Sequence, residues 1–259
     1  MLLEVKDLNI SLTSEKSVAE HISFRLGQGE MLSIVGSSGA GKTTICKAIM
    51  GLLGNTYRAD GEILFQGEDL LDLPERKRQT IYGKEICLIM QNPMTAFNPS
   101  IRVGRQMEKT YLLHHGKTPR QEMQRLFAAI LQKLGLEDTQ RILNSYPFTL
   151  SGGMLQRLMI AAALMCQPAL LVADEATTAI DACNRIGLMR ELKSFCKDGM
   201  SVLFVTHDLR SASVSDRILV MDRGQIVEQG KTEQILNTPK EDYTKYLLNA
   251  CRLERREMF

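Results

Sequence analysis

Apolar and polar positions follow two different rhythms along this chain. From Val18 to Leu26 they alternate, the two-residue period of a half-buried strand, and residues 2–9 read the same way. Gly27-Gln28-Gly29 marks a turn. The run Glu30-Met31-Leu32-Ser33-Ile34-Val35 that follows is nearly all apolar, as a strand buried on both faces would be. Residues 61–67 form a short strand pattern between glycines, and Glu85 to Met90 form another. The rhythm changes after Gln91. Residues 92–99 hold two prolines and read as a loop, and from Val103 to Leu143 the apolar positions, Leu126, Ile130, Leu131 and Leu134 among them, fall at helical spacing. This helical block runs to about Leu164. Strand patterns return at 169–174, 201–205, 217–221 and 225–228, with a helix from Asn184 to Phe195 between the first two. Strands alternating with helices predict an α/β fold with a mainly parallel sheet covered on both faces, interrupted by an all-helical insertion.

Composition narrows the function classes. The 259 residues are 44% hydrophobic and 24% charged, an ordinary globular balance. A net charge of +2 gives no electrostatic reason to expect a nucleic-acid partner. Six cysteines are scattered without a Cys-x-x-Cys pair, which suits small buried side chains in a reducing compartment. The longest apolar run, Leu158 to Cys166, is too short for a membrane span, and charges interrupt the first residues too early for a signal peptide. A cytoplasmic protein is expected, with any membrane role reached through a partner.

The chemistry begins at Gly36-Ser37-Ser38-Gly39-Ala40-Gly41-Lys42-Thr43, which is G-x-x-x-x-G-K-[ST] between a predicted strand and a predicted helix. Glycines let the backbone turn its N–H groups inward, and the helix start favours negative charge. Lys42 supplies a cation for the terminal phosphates, and Thr43 a hydroxyl for Mg²⁺. The nucleotide-binding run extends through Thr44. Leu170 to Ala173 is an apolar strand ending in Asp174 and Glu175. In extended chain, adjacent side chains point opposite ways, so Asp174 would face the metal and Glu175 would take the proton of an attacking water. Ser151 is a good helix N-cap, and Gly152 and Gly153 after it suit close approach to a ligand. Two phosphate sites in one chain suggest a nucleotide sandwiched between two chains. Gln91 and His207 each follow a strand end.

In order, the phosphate loop, Gln91, Leu150-Ser151-Gly152-Gly153, Asp174-Glu175, Asp181 and His207 resemble the ATPase subunit of an ATP-binding-cassette (ABC) transporter over nearly the whole chain. The resemblance implies a phosphate-loop NTPase fold: a mainly parallel sheet, an N-terminal antiparallel β part and an inserted all-helical subdomain. It would be one domain over 1–259, with a core at 1–91 and 165–240, a helical subdomain at 92–164 and an extension at 241–259. It also implies ATP and Mg²⁺ as ligands, a head-to-tail dimer, Glu175 as base and His207 on the γ-phosphate. Thr43, Gln91 and Asp174 would serve the metal. Ser151, Gly152, Gly153, Met154 and Asp181 would complete the partner's site.

Residues 91–99, Ser145-Tyr146-Pro147-Phe148, Gly153 to Arg157 and Pro239 to Leu248 are similar to the dipeptide, oligopeptide and nickel importer branch; within it, residues 96–99 and Gly153 to Arg157 resemble the nickel and metal-chelate importers more than the peptide ones. Importer partners follow from that: a second, different ATPase chain, two membrane permeases and an extracytoplasmic binding protein, with this chain at the cytoplasmic face of the membrane. A dipeptide or oligopeptide importer is the alternative, and a non-transport cassette on ribosome or DNA a more distant one. Met94 and Phe97 are expected to line the groove for a membrane-subunit helix. Leu12 stands where an aromatic residue normally stacks on adenine, and Cys251 alone in the tail argues against an iron–sulfur cluster. His114-His115 reads as the polar end of a helix, since no third metal ligand lies near in sequence.

Overall fold

A computed structural model describes residues 1–14, 16–177 and 182–257. Two sheets carry the fold. The first is antiparallel, in the order β2-β1-β4-β5, from β1 (Leu3–Leu12), β2 (Ser17–Leu26), β4 (Tyr57–Phe65) and β5 (Glu68–Asp69). The second has the order β10-β9-β3-β8-β7-β6, from β3 (Met31–Val35), β6 (Ile86–Ile89), β7 (Leu170–Asp174), β8 (Ser201–Thr206), β9 (Arg217–Asp222) and β10 (Gln225–Lys231). Only β9 and β10 pair antiparallel within it.

The central strands are buried on both faces because helices cover them. Every residue of β3 and β8 is buried. One side packs against α1 (Lys42–Ile49) and the antiparallel sheet, through Ile34, Ile45, Ile49, Val172 and Val205. The other packs against α6 (Gly152–Met165) and α7 (Ala182–Cys196), through Leu158, Met165, Leu188 and Phe204. Glycine and proline bound most elements, and α2 (Glu75–Ile81), which has no buried residue, left no periodic apolar signal in the sequence.

Between β6 and β7 the chain is helical throughout: α3 (Val103–His115), α4 (Arg120–Lys133), α5 (Thr139–Asn144) and α6, with two short 3₁₀ turns. Their apolar faces share a core of Val103, Met107, Phe127, Leu131 and Leu155. Phe97 belongs to this core at 8% exposure. That corrects the expectation that it lines a partner groove: its ring is buried in the helical core, while Met94 is 57% exposed.

Parallel register decides where the chemistry lies. Val35 stands beside Thr206, Asp174 beside Val205, and Ile89 beside Ala173. Four strands therefore end at the same edge of the sheet, and the residues that follow them, Gly36, His207, Glu175 and Gln91, share that edge. Open parallel sheets bind ligands at this edge. The short α8 (Leu209–Ala212) lies between β8 and β9, and beyond β10 the chain adds α9 (Thr232–Asn237) and α10 (Asp242–Glu257). Among the described residues no helix is long and apolar enough to cross a membrane.

Candidate active site

The phosphate loop starts where β3 leaves the sheet. A Cβ on Gly36 would lie 2.2 Å from the carbonyl oxygen of Met221, so only glycine allows the loop to begin so close to β9. Gly41 has φ 93°, and a Cβ there would sit 2.8 Å from the carbonyl oxygen of Val18. The loop then enters α1, whose first turn has no acidic residue and presents the N–H groups of its opening residues. That end of a helix attracts anions.

Lys42 is 5% exposed, and its ammonium donates to the carbonyl oxygens of Gly36 at 2.8 Å and Ser37 at 2.7 Å. Burial pushes its amine below the usual lysine range, and the nearby Glu175 and Asp174 carboxylates oppose that shift. A lysine ammonium has three N–H bonds. Two of them brace the loop, and the third suits a phosphate oxygen. Ser38, Gly39, Gly41, Lys42, Thr43, Thr44, Val18 and Glu175 line a cleft of about 270 Å³.

Thr43 donates its hydroxyl to Asp174 Oδ1 at 3.2 Å. Burial raises the Asp174 carboxyl above the ordinary aspartate range, opposed chiefly by that Thr43 hydrogen bond. A hydroxyl and a carboxylate side by side are hard oxygen donors of the kind Mg²⁺ takes. Gln91 bonds the second acid. Its Nε2 donates to Glu175 Oε2 at 2.6 Å. The other carboxylate oxygen of Glu175 faces His207 Nδ1 at 3.2 Å. Glu175 thus joins two strand ends into one cluster.

The two acids diverge for a reason the sequence did not contain. Strand alternation is what the pattern suggests, but β7 stops at Asp174 and Glu175 has φ 49°, in the left-handed region. A non-glycine residue held there is strained, by about 1–3 kcal/mol. Its backbone N–H donates to the carbonyl of Val205 at 2.9 Å, which fixes the turn. His207 is positioned by its neighbour. Asp208 N-caps α8 and accepts hydrogen bonds from Ser211 at 2.7 Å and Arg185 at 3.2 Å. Burial alone would raise the Asp208 carboxyl, but the Ser211 and Arg210 hydrogen bonds and the Arg185 contact hold it below its ordinary value.

Ser151 is the N-cap of α6, accepting the Met154 N–H at 3.3 Å, with Gly152 and Gly153 as the first two helical residues. None of Ser151, Gly152, Gly153 and Met154 lines the phosphate-loop cleft. Asp181 lies outside the described residues. Leu12 does not line the cleft either. Val18 does, and its place in an alternating strand gave no hint of that role. His115 donates its Nε2–H to the carbonyl of Met165 at 2.9 Å and stacks on Tyr111. Among the described residues no three His, Cys, Asp or Glu side chains are grouped to hold a metal ion.

Three comparisons bear on this geometry. Residues 19–178 match the model of the ABC transporter family. The chain is 41% identical over 96% of its length, and 93% of the relative, to the metal-staphylopine import system ATP-binding protein CntD of Staphylococcus aureus. It is also 41% identical to the oligopeptide transport ATP-binding protein OppD of Bacillus subtilis, over 95% of this chain and 71% of that one. The dipeptide transport ATP-binding protein DppD of Haemophilus influenzae is 40% identical over 96% of this chain and 77% of its own. Among solved structures, the ATP-binding cassette MJ0796, a dimer in a post-hydrolysis state bound to ADP and Pi, superposes with a TM-score of 0.78 at 27% identity over 89% of this chain and 99% of that chain.

Proposed function

From the premise that this chain belongs to the ABC transporter family and is one of its ATP-hydrolysing subunits, we propose that it powers import of a metal chelate across the cytoplasmic membrane. The observation that carries the catalytic part is the Glu175 cluster at the sheet edge, 2.6 Å from Gln91 and 3.2 Å from His207, beside a lysine-braced phosphate loop. In this reading Gly36 to Thr44 wrap the phosphates and Lys42 neutralises their charge. Thr43 and Asp174 hold Mg²⁺, which supplies charge stabilisation at the phosphoryl group. Gln91, hydrogen-bonded to Glu175, would join them as a further ligand of that metal. Glu175 accepts the proton of the attacking water, and His207 orients Glu175 and meets the γ-phosphate.

Ser151, Gly152, Gly153 and Met154 stand at a capped helix start away from this chain's own cleft, which supports their serving ATP bound to a second cassette. Asp181 is assigned to the same interface. The described dimer of a similar cassette supports that arrangement. We assign residues 1–91 and 165–240 to a core, 92–164 to a helical subdomain and 241–259 to an extension. The partners are a second, different cassette, two permeases and an extracytoplasmic binding protein, with this chain on the cytoplasmic face.

For the cargo, residues 96–99 and 153–157 resemble the metal-chelate importers, and a metal-chelate relative matches at 41% identity beside peptide relatives at 41% and 40%. Identity alone does not separate them, so peptide import stays the second reading. Uptake by the assembled transporter of radioactive nickel as a staphylopine chelate, against a labelled dipeptide, decides between them. Saturable dipeptide uptake without metal uptake overturns the first reading.

Lys42→Ala is expected to weaken ATP binding by roughly 100-fold, because it deletes a charged hydrogen-bond donor from a buried loop. Titration calorimetry on the purified chain checks this. Met90 and Met94, 59% and 57% exposed on either side of Gln91, offer an apolar edge to a permease. Met94→Asp should depress transport severalfold with ATP affinity and thermal midpoint intact. Unchanged transport places the coupling surface elsewhere.

A further inference from the structure

The C-terminal helix reaches the phosphate loop. The backbone N–H of Ser37 donates to the hydroxyl of Tyr243, on the first turn of α10, at 3.1 Å. We propose that Tyr243 is a positioning residue for nucleotide: its hydroxyl holds the Ser37 peptide of the loop in the shape that receives phosphate. The proposal rests on the assignment of Gly36–Thr44 as the ATP-binding loop.

The helix that carries Tyr243 is anchored just before its start and again along its length. Glu228, on β10, accepts the backbone N–H groups of Lys240 at 2.9 Å and Glu241 at 3.2 Å, just before α10 begins. Further along the helix the Arg210 guanidinium, on α8, donates to the carbonyl of Cys251. Between these anchors Tyr243, Leu247, Leu248 and Cys251 pack on a small core of Val35, Leu209, Ala212, Val220 and Ile235. Val35 is the residue immediately before Gly36. The ring of Tyr243 packs on the same small core as the root of the phosphate loop, and its hydroxyl meets the loop's second residue.

The loop's first turn is thus held from two sides. Lys42 binds the carbonyl oxygens of Gly36 and Ser37, and the Ala40 N–H donates to the Ser37 carbonyl at 3.2 Å. Tyr243 takes the remaining backbone polar group of Ser37, its N–H. Lys42 has to divide its donors between the loop and a phosphate, whereas Tyr243 holds the loop from outside the cleft. Gly39 and Gly41 both sit at positive φ, so this segment has much conformational freedom to lose. A contact that orders it beforehand lowers the cost of ordering it at binding. Nothing in the catalytic cluster around Glu175 requires the tyrosine, so its effect belongs to nucleotide binding and not to the chemical step.

The test is Tyr243→Phe in the full chain, which deletes one oxygen and keeps the ring packed. One neutral hydrogen bond at an exposed peptide predicts MgATP and MgADP affinities each weaker by about fivefold in titration calorimetry. The thermal midpoint without nucleotide should stay within about 1 °C, since the ring's packing is retained. In the assembled transporter KM for ATP should rise in the same proportion with kcat little changed, a split that a lost core contact does not produce. Parent affinities in Tyr243→Phe overturn the proposal, and so does a fall in affinity that merely tracks a fall in thermal midpoint. Lys42→Ala in the same assay separates the two levels. If it binds nucleotide like the parent, the loop assignment itself fails. If it loses binding while Tyr243→Phe does not, only the tyrosine's role fails.

Discussion

Glu175→Gln is expected to bind MgATP with parent affinity and to hydrolyse it about 10²–10⁴ times more slowly. The amide keeps the size of the carboxylate and can still hydrogen-bond Gln91 and His207, whose atoms lie 2.6 and 3.2 Å from the two carboxylate oxygens. It has no affinity for the proton of an attacking water. The lysine, the loop glycines and the Thr43–Asp174 pair are untouched, so binding should survive. If closure around ATP joins two cassettes, the variant should accumulate as an ATP-bound assembly by size-exclusion chromatography. Single-turnover hydrolysis at the parent rate would remove Glu175 from the role of base. Slow hydrolysis accompanied by lost ATP affinity would show instead that the strained turn at φ 49° had collapsed.

The second large effect is on stability. Phe97→Asp should destabilise the helical block between β6 and β7 by about 3–5 kcal/mol or more, because it removes a buried ring and sets a carboxylate in its place. Phe97 is 8% exposed among Val103, Met107 and the apolar face of α6. For a chain of this size the thermal midpoint should fall by roughly 10 °C. Calorimetry or circular dichroism melting reads this directly, and Phe97→Leu should recover most of the loss. A folded Phe97→Asp with the parent midpoint would mean that the ring contributes nothing to this core. Transport lost in this variant therefore reports on folding, whereas Met94→Asp, at an exposed position, reports on the coupling surface.

Much of this was legible before any coordinates. Spacing alone found β1 to β3, β7 and β8 to within a few residues, since alternating and continuous apolar runs leave distinct marks. The missed α2 has no buried residue and so no apolar stripe to read. Both α9 and α10 followed the last strand pattern, where a handful of half-buried positions carry little period. Phe97 is the instructive error. An aromatic residue in a proline-flanked loop reads as an exposed anchor, and only packing against helices that begin later in the chain shows it to be core. Val18 is the converse: an unremarkable strand residue that the fold sets against the phosphate loop.

The sequence by itself determined the ligand and the order of the parts. A glycine loop with lysine and threonine, a capped Ser-Gly-Gly helix start and an apolar strand ending in two acids are local patterns, each carrying its physics within a few residues. What the tertiary structure alone decided is who meets whom. Parallel register brought Gln91, Glu175 and His207 together from three strands, and a left-handed backbone at Glu175 separated it from Asp174. A helix more than 200 residues downstream put a tyrosine hydroxyl on the loop. Such contacts depend on strand order and helix packing, which arise from burial summed over the whole chain and leave no mark at the residues that finally touch.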